Sequence, residues 1–216
     1  DFAKKEFPQY ADKTYFIPTG VDLSRFKATP LPQEETATFV GRMEHTSAWK
    51  GVGELLEAMA IVLKQRPQAK LALVGGGDAL EHYKMQAASL GITDSVIFYG
   101  PLRGDDLIAA FQKASVIVLP SQSDSEAFSV TLVEGMASGR PLVATRIGGN
   151  PQVVEDGKNG LLVSAKSSQA LADGILRVLS DRSLAERMAA DSALRAQSYS
   201  WDAQVAKYRE LFNKII

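Results

Sequence analysis

From Thr36 onward, short apolar runs rich in β-favouring residues alternate with longer stretches in which apolar residues return every three or four positions. Continuous apolar runs predict strands at 37–40, 70–74, 96–99, 116–119, 142–144 and 160–163. Between the first two, Val52, Leu55, Leu56, Met59, Val62 and Leu63 share one helical face, and Pro67 stops the pattern. Further helices are expected at 77–90, closed by a left-handed Gly91, and at 105–113. Three more follow without an intervening strand, carried by Leu171, Ile175, Val178 and Leu179, by Leu184, Met188 and Leu194, and by Trp201, Val205, Tyr208, Phe212 and Ile215. The apolar stripe of the last should lie against this domain or a missing one. The phrase TYFIPTGVD near the start also reads as strand-like.

Strand–helix alternation with fully apolar strands predicts an α/β fold: a Rossmann-like parallel sheet of about six strands, with helices on both faces. Residues 1–35 read as a lead-in, 36–198 as the Rossmann-like domain and 199–216 as a C-terminal helix. The chain starts mid-pattern at Asp1, without Met, and is read as a fragment.

Composition narrows the function classes. At 216 residues with 45% hydrophobic positions, a core can form without staples, and a net charge of −1 lacks the basic footprint of a nucleic-acid binder. With no cysteine, a disulfide framework, a thiolate zinc site and a thiol nucleophile are excluded. No apolar run approaches the roughly 18–20 residues of a membrane span. The cytoplasm is the default location, with peripheral association at the inner membrane face left open, since KYRELFNKII is amphipathic but short.

In open α/β sheets ligands bind beyond the carboxyl ends of the strands. The residues after those ends carry the candidate chemistry: Gly41 and Arg42, Gly75 to Gly77, Gly100, and 120–128. Arg42 and Lys50 could converge on a diphosphate as a rigid fork and a flexible point charge, or be solvated surface charges. Ser129 reads as the N-cap of a helix ended by Gly139, which aims unpaired N–H groups at the rim. Glu126 in the loop and Glu134 on the helix are acceptors for hydroxyls, although Glu134 also reads as an ordinary exposed residue and Glu126 as a balance to the helix dipole. Gly148 and Gly149 form either a backbone approach to ligand or a plain turn. His45 and His82 read as surface residues.

The ordered set IPTGVD, FVGRM followed by WKG, LVGGGD, VIFYG and EAFSVTLVEGMASGRPLVATRIGGNPQVVEDGKNGLLV resembles family 4 of the retaining glycosyltransferases, across nearly all of residues 16–163. The resemblance implies the C-terminal, donor-binding half of a GT-B fold, and Glu126 and Glu134 match that family's E-x(7)-E signature. It further implies that Arg42 and Lys50 hold the diphosphate, Glu126 the sugar hydroxyls and Glu134 the ribose. By the same resemblance the backbone of Phe128, Ser129 and Val130 meets sugar and phosphate, Tyr99 and Leu102 flank the base, and Gly20, Gly41, Gly75 and Gly76 line the donor.

It also implies retention of configuration without a cofactor or metal, a UDP- or GDP-sugar favoured over an ADP-sugar, and a saccharide or glycolipid acceptor bound by the missing N-terminal half. The fragment alone should lack most transfer activity. Thr19, where the family commonly has Asn, and Ala127, where it has Gly, depart from the pattern and bear on sugar identity. Rival readings are a non-catalytic nucleotide-binding or interaction module and an NAD-dependent dehydrogenase, the latter disfavoured because Leu80 stands at the third glycine of G-x-G-x-x-G.

Overall fold

The computed structural model describes residues 2–215, with the side chains of 4–214. Six parallel strands, β1 (Thr36–Val40), β2 (Lys70–Val74), β3 (Val96–Gly100), β4 (Val116–Leu119), β5 (Leu142–Thr145) and β6 (Gly160–Val163), form one sheet in the order β3-β2-β1-β4-β5-β6. The order reverses direction between β1 and β4, the switch point outside whose carboxyl ends open α/β sheets form their ligand crevice.

The helices around the sheet are α1 (Phe2–Glu6), α2 (Val52–Gln65), α3 (Leu80–Ser89), α4 (Gly104–Lys113), α5 (Val130–Ala137), α6 (Asn150–Val153), α7 (Ser168–Ser180), α8 (Arg182–Ala196) and α9 (Trp201–Ile215). Helix α2 buries Val52, Leu55, Leu56, Met59 and Val62, the stripe expected of it, and packs beside α7. Strands β4 and β5 are buried at every position, as inner strands of a parallel sheet must be, whereas β3 at the edge alternates, with Ile97 and Tyr99 exposed.

Several expectations are corrected. Helix α3 starts at Leu80 rather than Gly77, because Gly77 has a φ of +152° and the Ala79 N–H is drawn to Met43 O at 3.0 Å. Leu194 is 73% exposed: α8 buries Ala185, Met188, Ser192 and Ala196, a stripe that faces away from it. TYFIPTGVD makes no strand; its β-type pairing among the described residues is an isolated parallel bridge, Val21 to Ser200. On α9 the domain holds Gln204, while Trp201, Val205, Tyr208 and Phe212 stay 42–57% exposed, so this stripe does not pack on the domain. The Ile215 side chain lies outside the described residues.

Arg140, which no pattern singled out, is fully buried between α5 and β5. Its guanidinium donates to the carbonyls of Thr29, Pro30 and Ala114 and to the Thr29 hydroxyl, and its Nε to Ser138 O. Burial pushes it down to about 10. Four carbonyls and one hydroxyl balance this charge, and two of those carbonyls belong to the lead-in.

Candidate functional site

Two loops meet at the crevice. After β1 the chain makes a 3-10 turn, His45–Lys50, that ends on Gly51 in the left-handed region at φ +76°. A Cβ there would stand 2.0 Å from Pro120 O, so only glycine lets this loop touch the one after β4. The contact is sealed by Gln122, whose N–H donates to Trp49 O at 2.6 Å. Lys50 and Glu126, 76 residues apart, are thereby brought together: Lys50 Nζ lies 2.7 Å from Glu126 Oε2, with side chains only 17% and 7% exposed. The ammonium also sits 4.5 Å from the centre of the Trp49 ring, a cation–π contact.

Glu126 Oε2 takes a second bond, from the buried Ser121 hydroxyl at 2.8 Å. The loop backbone is fixed as well: the Gly149 N–H donates to Glu126 O at 2.7 Å, and the Asp124 carboxylate accepts from the Gly148 N–H at 2.9 Å. Gly148 and Gly149 therefore approach protein rather than open space; a Cβ would meet Glu126 O at 2.2 Å or Ala127 O at 1.9 Å.

Ser129 caps α5 as expected, accepting from the Leu132 N–H at 3.3 Å, and Thr131 ties the first turn to Val40 O at 3.2 Å. The helix N-terminus is thus held at the end of β1, with Val130 exposed beside it. Glu134, one turn further on, is half-buried, and burial pushes its carboxyl up to about 7. Arg42 does not join Lys50: its side chain is 67% exposed and lies 3.5 Å from Glu44.

Gly41 and Gly75 sit on the same rim, donating to Val74 O and Gly100 O at 2.9 Å each, and Gly76 faces Pro101. Tyr99 is exposed at the edge and Leu102 half-buried after it. Gly20 lies beneath the Trp201 ring, 2.8 Å from where its Cβ would be. Phe128 stacks on Tyr199 (centroids 6.1 Å apart, 23°) and meets Phe16 edge-on at 6.0 Å, so the lead-in, the Glu126 loop and the turn before α9 share one aromatic row. His45 and His82 are exposed.

Sequence reasoning missed Ser121, Thr145 and Asn150, all buried and polar behind Glu126. Their one signal is position, each just past the apolar run of a strand or at the turn after it. A concavity of about 690 Å³ lined by Glu35, Arg66, Lys70 and Ile97 lies at the opposite, amino-terminal ends of the strands, where Arg66 is already paired with Glu35. Among the described residues no three His, Asp or Glu side chains gather into a metal-ligand set, and no helix is long and apolar enough to cross a membrane.

Residues 21–195 match the model of the family described as glycosyl transferases group 1. The chain is 32% identical over 219 residues to a D-inositol 3-phosphate glycosyltransferase of Corynebacterium jeikeium, a match covering 92% of this chain and 51% of that protein. Among solved structures it is similar to Anabaena Alr3699/HepE in complex with UDP-glucose, with a TM-score of 0.83 and 25% identity over 98% of this chain and 60% of that one. It is also similar to the C-terminal domain of a glycosyl transferase group 1 family protein, LpcC, from Francisella tularensis, with a TM-score of 0.74 and 25% identity over 84% of this chain and 100% of that one. The chain spans about half the length of the curated relatives it matches. With its parallel sheet, its reversal at β1 and β4 and its charged rim, the chain belongs to the glycosyl transferases group 1 family and has the fold of a GT-B C-terminal domain.

Proposed function

We propose that the rim around Lys50 and Glu126 binds a nucleoside diphosphate sugar, and that within a two-domain enzyme it transfers the sugar, with retention of configuration, to a saccharide or lipid-linked acceptor. The observation that carries this reading is the Lys50–Glu126 pair, largely withdrawn from water at the crevice and close to the capped start of α5. An ammonium and helix N–H groups suit a diphosphate; a carboxylate suits sugar hydroxyls.

In this reading Arg42 swings from Glu44 to the diphosphate, Lys50 contacts it from its place beside Glu126, and the α5 N-terminus around Phe128, Ser129 and Val130 takes a phosphate or sugar oxygen. Glu134 accepts from the ribose, while Tyr99 and Leu102 flank the base along the Gly41, Gly75 and Gly76 rim. Gly20, under Trp201, contributes by setting the path of the lead-in. The C1–O bond to the β-phosphate breaks with its electron pair leaving on the diphosphate, where Arg42 and Lys50 stabilise the charge. The acceptor hydroxyl attacks C1 from the same face, and its proton passes to the departing phosphate oxygen. Glu126, tied to Lys50 and Ser121, is a hydroxyl acceptor rather than a covalent nucleophile. UDP is the first base to test, because HepE is described in complex with UDP-glucose.

Calorimetric titration of the chain with UDP, GDP, ADP and NAD tests the reading. Saturable binding of one nucleoside diphosphate, weakened at least tenfold by Glu134→Ala, is expected. Preference for NAD, or no binding of any diphosphate, would overturn it.

A further inference from the structure

Behind Glu126 three polar side chains stand in line, each at most 2% exposed, and each comes from a different segment. Asn150, opening α6, donates through Nδ2 to the Thr145 carbonyl at 3.0 Å and to its hydroxyl oxygen at 3.4 Å. Thr145, ending β5, donates from that hydroxyl to the Ser121 carbonyl at 2.6 Å. Ser121, just past β4, donates to Glu126 Oε2 at 2.8 Å. Thr145 thereby holds the Ser121 backbone, and Ser121 alone spends its single hydroxyl hydrogen on the carboxylate. A buried hydroxyl is unfavourable unless it is bonded, and the Ser121 hydroxyl finds its acceptor in Glu126 rather than in a backbone carbonyl.

We propose that Ser121 is a positioning residue for Glu126, holding Oε2 in place so that Oε1 is presented to a hydroxyl of the transferred sugar. The proposal rests on the donor-site reading above. Among the described residues, Oε2 receives both Lys50 and Ser121 and Oε1 receives no bond, so the carboxylate has one occupied oxygen and one open acceptor. Lys50 cannot be the sole anchor, because a diphosphate competes for the same ammonium. Ser121 has no such competitor: it is fully buried, and its backbone is fixed by Thr145. The Glu126 backbone is fixed at both ends too, its N–H on Ser123 O at 3.1 Å and its carbonyl on the Gly149 N–H at 2.7 Å. Once the phosphates draw on Lys50, the charge-assisted bond from Ser121 sets the direction of the carboxylate.

The test compares affinities for UDP and UDP-glucose, and for GDP and GDP-glucose, by calorimetry on the 216-residue chain, as wild type, Ser121→Ala and Thr145→Val, with melting temperatures recorded in parallel. The wild type is expected to bind one nucleotide sugar more tightly than its diphosphate. Ser121→Ala should lose that sugar-dependent gain, about tenfold, the size of one hydrogen bond to a charged group, while diphosphate affinity stays within about threefold. Thr145→Val should show a smaller loss in the same direction, and it decides the matter if Ser121→Ala does not fold. Equal losses for diphosphate and nucleotide sugar would mark a merely structural serine and overturn the proposal. So would an undiminished gain in both variants, or a wild type that binds diphosphate with no gain from the sugar. A wild type that binds none of the four ligands would instead overturn the donor-site reading itself, a failure visible before any variant is made.

Discussion

Lys50 and Glu126 are held where water reaches them poorly, so removing either leaves the other charge unanswered, whereas Arg42 can be changed without exposing anything. Arg42→Glu is therefore expected to weaken diphosphate binding at least tenfold by calorimetry while shifting the melting temperature by no more than about 2 °C, since its 3.5 Å pair with Glu44 is largely solvated. A large drop in melting temperature would make Arg42 structural.

Glu134 carries a pH signature. Its folded-state value, about 7, lies above the ordinary 4.5, so burial costs nothing while the carboxyl is protonated in both states. The penalty grows as pH rises from 4.5 and is complete above about 7. Glu134→Gln should leave stability unchanged near pH 4 and raise it at pH 8, on the order of 2 kcal/mol in denaturant titration. Under the proposed function the ribose hydroxyls favour the ionised form, so affinity for the nucleotide sugar that binds should strengthen between pH 6 and 8 in the wild type and stay flat in Glu134→Gln. At this scale the sequence offered Lys50, Glu126 and Glu134 as candidates but not the contact between Lys50 and Glu126. Lys50 and Glu126 meet only because Gly51 allows two loops to touch, and Ser121, Thr145 and Asn150 acquire meaning only when three segments converge.

Among the elements, legibility followed burial. The inner strands and α2 read cleanly because each is apolar on every face that packs, and the N-cap at Ser129 was visible because a hydroxyl before an apolar periodic run has few other uses. Where one face meets solvent or a neighbouring loop, the pattern misled. Leu194 counted as stripe although small residues and Ser192 make the packed face of α8, and Gly77 was assigned to a helix that begins after the turn it forms. The turn before α6 belongs to this scale as well. Gly149→Ala puts a methyl where Ala127 O stands 1.9 Å away, which must displace the Glu126 loop. UDP-glucose affinity is expected to fall at least tenfold; unchanged affinity would show that the loop can yield without moving the carboxylate.

Over the whole molecule the two ends of the chain are interdependent. Val21 donates to Tyr199 O at 2.8 Å and accepts from the Trp201 N–H at 3.2 Å, and Phe16 reaches Phe128 across the same seam. Above it α9 presents Trp201, Val205, Tyr208 and Phe212 outward. A chain beginning at Val21 is expected to melt close to the parent, while one beginning at Thr36 should lose about 3–5 kcal/mol in denaturant unfolding, as the buried Arg140 charge loses its Thr29 and Pro30 acceptors. Equal stability of the two would show that Arg140 finds other acceptors.

The buried guanidinium of Arg140 also governs where this half can be grafted. Because Thr29 and Pro30 answer a charge sealed at the amino-terminal ends of the strands, opposite the charged rim, a transplant that respects strand boundaries alone would carry over the rim's strands and loops and still import a cation stripped of half its carbonyl acceptors. A chimera built on this domain must place its splice before Thr29, so that the domain travels with the piece of lead-in that neutralises its own interior.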